Sequence, residues 1–284
     1  MCIPAVPQIL AEFGSSDTLY QAILVSIWEL GEAIGPLLTA PLSEIYGRSP
    51  VYNVANIIFI VFSLACAGSS NLHMLVAFRF FSGIGDASIA LNPGIIGDMF
   101  VQEERGFALS IMGLPPLLGP VAGPVLGGFL TQAKGWRWAF WLSAITGGVC
   151  EICFLAFFRE TYKPRILQKK SRRLRKQTGK KDLRSKYDND PSVKGSYIWR
   201  QSIIRPAQML VRSPIVLLLA LYVSVVYGFL YLLLTTITEV FETTYRFSQG
   251  AAGLAYLGLG TSPLLLSPLP SPPLLSFPIQ HVRV

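Results

Sequence analysis

The chain has 284 residues, of which 51% are hydrophobic and only 14% charged. Soluble domains carry about 25% charged residues, and a mean hydropathy of +0.48 argues against one or two soluble domains and for a membrane protein. The net charge of +8 is also uneven, because Arg159 to Arg212 holds 17 Lys and Arg against 4 acids, +13, which leaves −5 for the rest.

Taken in order, the chain opens on Met1–Leu10, a stub resembling the last turns of a span and lacking the form of a signal peptide. A span needs about 20 apolar residues. Six runs approach or meet that length: Leu19–Leu42, Val51–Gly68, Met74–Gly97, Phe107–Leu130, Trp138–Phe158 and Pro214–Ile237. A seventh starts near Gly250 and degrades. Trp136, Trp138, Trp141, Tyr46, Tyr52 and Tyr245 stand near run ends, as interfacial aromatics do. The basic segment is expected in the cytoplasm. Counting back, the turns Leu42–Pro50 and Asp98–Gly106 are cytoplasmic and Ser69–His73 and Thr131–Arg137 are outside. Lys134 and Arg137 then lie on the side that positive charge avoids.

The basic segment reads as a solvated linker, with a piece that could lie on anionic lipid. Spans on both sides make nucleic acid a poor partner for it. The tail from Thr261 holds six prolines, which remove donors and leave carbonyls unmet in lipid. An altered reading frame or an unspliced intron is the expected cause. Two histidines far apart give no metal site, and no cofactor is implied. Cys150 and Cys153 have redox spacing, but within a span they read as small buried hydrophobes. An enzyme would need a nucleophile and base or a metal cluster, and neither is present.

Three acids lie deep in spans. Glu29 is ten residues past Leu19, about 15 Å at the helical rise. Glu32 is 300° further round, so the pair stand about 60° apart on one side of the helix. Asp86 is similarly deep, and Arg79 shares its face within about 20°. Charges at membrane depth usually face a partner or a cavity. Glu29, Glu32 and Asp86 are therefore candidate proton or cation sites with Arg79 as their charge partner, on depth alone. Structural hydrogen bonding between helices, or snorkelling of Arg79, would also account for them. Glu151 is nearer the cytoplasmic end and ranks last.

Three short stretches carry a resemblance. In APLSEIYGRSP (Ala40–Pro50), Glu44, Tyr46, Gly47 and Arg48 match motif A of the major facilitator superfamily, while Ala40, Ile45 and Ser49 depart from it. A tight turn at Gly47 with fixed charges at a helix end could lock the cytoplasmic side shut. In LVAFRFFSGIGDAS, Leu75, Arg79, Gly83 and Gly85 resemble motif B. In LGPVAGPVLGGFL, Gly119, Gly123, Pro124, Gly127 and Gly128 resemble the antiporter motif, motif C, which in the family marks exporters. Small residues four apart also let helices approach closely, and Pro120 and Pro124 are expected to bend the span. AVPQI, WRWAFWLSAI, RETYKP and Ser213–Gly260 are similar to fungal multidrug and polyamine exporters of the drug:proton antiporter group.

The resemblance covers roughly Cys2–Gly260. It implies an all-α membrane protein with the helical bundle of that superfamily, two six-span halves that rock about a central site. In those terms residues 1–158 are a nearly complete first half, 159–212 the cytoplasmic linker, 213–260 the start of the second half, and 261–284 an aberrant tail. The expected function is proton-coupled export of small lipophilic or cationic compounds such as drugs, toxins or polyamines. The partners are substrate, protons and the lipid bilayer, and the plasma membrane is preferred to the vacuolar membrane. The expected alternative is an inactive truncated product that acts as a membrane interaction protein.

Overall fold

A computed structural model describes residues 5–14, 18–179 and 208–248, with residues 185, 204, 206, 251 and 254 singly. The seventh run after Gly250 and the tail lie almost wholly outside the described residues, as does most of the linker beyond Gly179.

The helices are α1 (Val6–Glu12), α2 (Thr18–Tyr46), α3 (Arg48–Ala67), α4 (Leu72–Asp86), α5 (Asn92–Met99), α6 (Arg105–Lys134), α7 (Arg137–Phe157), α8 (Lys163–Thr178) and α9 (Pro214–Thr243). Among the described residues, five stretches are long and apolar enough to cross a bilayer: Leu19–Tyr46, Arg48–Ala67, Leu72–Met99, Arg137–Phe157 and Pro214–Leu233. At 30 residues, α6 would reach about 45 Å, and it stays helical through the prolines of the motif C stretch.

The stretch expected as one run from Met74 to Gly97 is two helices. A 3-10 turn over Ala87–Leu91 separates α4 from α5. Pro93, in the first turn of α5, has no N–H to give and its ring crowds the carbonyl four residues back. That carbonyl belongs to Ile89, inside the turn. At the other end Asn71 caps α4, its Oδ1 accepting from the Met74 N–H at 2.8 Å, which satisfies a donor left free at a helix start.

Two buried clusters lie at the two ends of the bundle, named here by the sides that the charge count leads one to expect. At the outer end Val6, Ile9, Leu24, Cys66, Leu75 and Trp136 form one buried cluster that gathers α1 to α4 with the start of α7. At the cytoplasmic end Val51, Leu91 and Ile95 form another, with Leu42, Tyr52 and Phe158 against it. Tyr52 stacks on Phe154 at 4.3 Å between ring centroids, and Phe154 on Phe158 at 4.1 Å, joining α3 to α7.

The two positive charges on the outer side have partners. Arg137 donates to Glu12 Oε1 at 2.7 Å and Trp136 Nε1 donates to Glu12 Oε2 at 2.6 Å. A second Arg137 nitrogen reaches the Ser69 carbonyl at 3.4 Å, and Lys134 lies 4.4 Å from the centre of the Trp138 ring. The Trp136 and Arg137 hydrogen bonds hold the Glu12 carboxyl below the usual carboxylate range. Charge that runs against the orientation rule is here spent on joining α1, α3 and α7 at one edge.

The cysteine expectation needs correction. Cys66 is buried, but Cys150 and Cys153 are exposed. The stretch of α7 from Val149 to Phe157 turns its apolar side chains away from the described helices and buries only Glu151. The linker begins with a regular helix, α8, closed by Gly179 in the left-handed conformation at φ 69°. Its sequence carries eight Lys or Arg and no acid, with Ile166, Leu167 and Leu174 partly exposed on it.

Candidate functional site

The mid-depth acids are brought together by glycine. A Cβ placed on Gly31 would meet the Phe80 carbonyl, one on Gly83 the Trp28 carbonyl, and one on Gly35 the Ala87 side chain. The backbones of α2 and α4 therefore touch along Gly31, Gly35 and Gly83, as small residues four apart allow. Glu29 and Glu32 flank this seam on α2, and Asp86 ends it on α4.

All three acids are partly buried. They are close enough for the charges of Glu29 and Glu32 to act on Asp86 and on one another. The Tyr231 hydroxyl on α9 hydrogen-bonds Glu29. The acids on α2 and α4 thus lie beside α9, the helix that follows the linker. Among the described residues none of them is in an ion pair.

Arg79 is 8% exposed, buried rather than snorkelling. Its charge reaches Glu29, but it pairs with none of the acids. Among the described residues its Nε has no hydrogen-bond partner, and its guanidinium lies 5.8 Å from the centre of the Phe140 ring. A cation over an aromatic face is held by the ring's negative face.

A second polar cluster sits at the cytoplasmic end. Gly47 has φ 103°, a conformation open to glycine at little cost, and a Cβ there would also strike the Glu160 carboxylate. Arg48 begins α3 immediately after. Its backbone N–H donates to Glu160 Oε1 at 2.9 Å, so Glu160 caps α3 and complements its dipole. The same oxygen accepts from the Thr161 and Tyr162 N–H groups at 3.1 and 3.0 Å. The Arg48 side chain pairs with Asp98 Oδ2 at 3.2 Å and donates to Ser43 Oγ at 2.6 Å. One arginine thereby joins α2, α3, α5 and the chain leaving α7. Among the described residues no group of three His, Cys, Asp or Glu could hold a metal ion.

The sequence profile of the Major Facilitator Superfamily matches residues 1–276. The chain belongs to that superfamily. It is 50% identical over 266 residues to the MFS-type transporter tndD of Aspergillus flavipes, covering 93% of this chain and 49% of that protein. It is 47% identical over 261 residues to the efflux pump radE of Floropilus chiversii, 92% of this chain and 48% of that one. It is 48% identical over 266 residues to the MFS-type transporter penM of Penicillium rubens, 93% and 52%. The chain spans about half the length of these curated relatives. Its all-helical, multi-pass membrane character follows from membership, and the relatives are named as transporters and an efflux pump, not enzymes.

Within this superfamily chain, motif A and the cytoplasmic cluster coincide only in part. Gly47 and Arg48 lie at its centre. Glu44 is half-buried on α2 and takes no part, and Tyr46 is exposed. The acids that engage Arg48 are Asp98 and Glu160, which the motif match did not single out. Both were visible as acids at the cytoplasmic ends of spans. In motif C, Gly123, Pro124, Gly127 and Gly128 are buried and Gly119 is exposed. Near the end of that helix Gln8 Nε2 donates to the Thr131 carbonyl at 3.4 Å, tying α1 to α6. Tyr231 carried no signal in the sequence, whereas Gly31 and Gly35 could have been found as a G-x-x-x-G pair.

Proposed function

We propose that the chain is part of a proton-coupled exporter of small lipophilic or cationic compounds, working by alternating access. The observation that carries this is the placement of Glu29, Glu32 and Asp86, from two helices in backbone contact, beside the first helix of the second half. Carboxyls clustered at membrane depth are costly as charges. A proton or a cationic substrate relieves that cost, so the two compete for the same groups, which is what exchange across a membrane requires. The Arg48 cluster acts as a cytoplasmic latch in the same cycle, and the buried glycines of motif C let α6 pack closely. The resemblance to motif C and the naming of one relative as an efflux pump support export over import.

The test is proton-gradient-driven efflux of a lipophilic cation such as tetraphenylphosphonium from vesicles, with the chain in its complete context. Glu29→Gln, Glu32→Gln and Asp86→Asn are compared singly. At least one is expected to lower the rate tenfold or more. Normal efflux by all three would sink the assignment.

A second reading is favoured by α9. Almost all its described side chains are exposed, so it offers a long unpacked face to further helices. On that reading the chain associates with other membrane proteins and transports nothing.

A further inference from the structure

Glu151 is absent from the reading above, and among the described residues it is the most deeply buried of the acids in the spans. It is 4% exposed, although every neighbour from Val149 to Phe157 is partly or fully exposed. Its Oε2 accepts from Asn56 Nδ2 at 2.7 Å, while its Oε1 has no hydrogen-bond partner among the described residues. Burying a carboxyl on one neutral hydrogen bond is expensive, so the bond it makes should matter.

Asn56 passes the connection on. Ser88 Oγ donates to Asn56 Oδ1 at 2.9 Å. A directed chain therefore runs Ser88 to Asn56 to Glu151. Ser88 lies in the 3-10 turn two residues beyond Asp86. A Cβ on Gly85 would meet the Ala55 carbonyl and the Phe59 nitrogen, so α3 also touches the backbone on the near side of Asp86. The end of α4 is thus held to α3 by a backbone contact before Asp86 and a side-chain tether after it, and α7 anchors the tether.

We propose that Glu151 is a positioning residue for Asp86, acting through Asn56 and Ser88 to fix the turn that aims the Asp86 carboxyl. A proton wire is the competing use of such a chain. The Asn56 amide interrupts it, since it accepts at one atom and donates from another and cannot pass a proton without changing tautomer. The inference rests on the reading of Asp86 as a proton site. The other titratable groups near Asp86 are Glu29 and Glu32 on α2 and Tyr52 on α3. Those near the Glu151 end are Tyr52 and Cys150.

Two measurements on the purified chain in lipid nanodiscs test it, with Glu151→Leu against Glu151→Gln. Glutamine keeps an oxygen for Asn56 Nδ2, and leucine does not. Amide hydrogen exchange over residues 87–92 is expected to rise about five- to tenfold in Glu151→Leu, with the rest of α3 and α4 unchanged, and to stay at the native rate in Glu151→Gln. The infrared carboxyl band that vanishes in Asp86→Asn is then titrated with pH. Its midpoint is expected to move by about half a pH unit or more in Glu151→Leu and to hold in Glu151→Gln. Unchanged exchange in the leucine variant, equal effects in both variants, or a midpoint that stays fixed while exchange rises would each overturn the positioning role. A native protein with no Asp86 band over the accessible pH range would instead bring down the proton-site reading itself, and the inference with it.

Discussion

The two polar clusters on either side of the Gly31, Gly35 and Gly83 seam are built on opposite terms. At the cytoplasmic end Arg48 meets Asp98, Ser43 and, through its backbone, Glu160. At mid-depth, among the described residues, Glu29, Glu32 and Asp86 sit near one another without an ion pair, and Arg79 keeps an unpartnered Nε. Charges matched in place make a joint. Charges brought together and left unmatched make a site whose state depends on what binds. On the proposed function, the difference separates holding the fold from working it, although both clusters are made of the same residue types.

The largest effect is expected from closing the space between α2 and α4. Gly83→Val places a Cβ against the Trp28 carbonyl, and overpacking typically costs about 1–3 kcal/mol, the upper end being expected where rigid backbone is struck. The thermal midpoint in detergent should fall by several degrees, with loss of the Asp86 infrared band as the acids separate. A variant as stable as the parent would show that the seam does not position the open cluster.

A smaller effect is expected at the closed cluster. Arg48→Ala removes the partner of Asp98 and Ser43 and should cost about 1–3 kcal/mol. Asp98→Asn keeps an acceptor for Arg48 and should cost about half as much. Measured by the same unfolding assay, equal losses would mean that Asp98 alone carries the joint and that Ser43 adds nothing.

The smallest effect belongs to the outer cluster of Glu12, Trp136 and Arg137. The Glu12 carboxyl is depressed in the folded chain, so its stabilisation is present above the ordinary glutamate range and is lost as pH falls through the depressed value. Its side chain is 43% exposed, so solvent and salt screen the pair and the change is slight. The unfolding midpoint of the parent should drop a little more than that of Arg137→Gln between pH 6 and about pH 3. An identical drop in both would remove Arg137 from the account.

Much of this was legible from residue order. Apolar runs located the spans to within a few residues, because a bilayer imposes a length and excludes charge. Gly47 and Arg48 stood out as a tight turn beside a fixed charge. The break after Asp86 was not foreseen, although Pro93 was a signal for it. Its effect falls on the carbonyl of Ile89 and on the turn around it, so reading one long apolar run hid it. Cys150 and Cys153 were misplaced because apolar composition says that a residue is out of water without saying whether lipid or protein covers it. Glu151 ranked last by depth and proved the most buried acid among the described residues for the same reason, since which way α7 faces is set by its neighbours.

The sequence by itself determined that this chain crosses a membrane repeatedly and where acids fall within its apolar runs. Those follow from the one-dimensional balance of apolar length and charge, which each span satisfies alone. Only the tertiary structure decided which acids meet. Asp98 and Glu160 close on Arg48, Tyr231 reaches Glu29, and Asn56 joins Ser88 to Glu151, across separations of 50 to 112 residues for the Arg48 pairs and 95 and 32 for the Asn56 pair. Such pairings depend on the rotation and approach of neighbouring helices. Here a few glycines at the α2 to α4 seam fix that approach, and no periodicity within one helix encodes its partner.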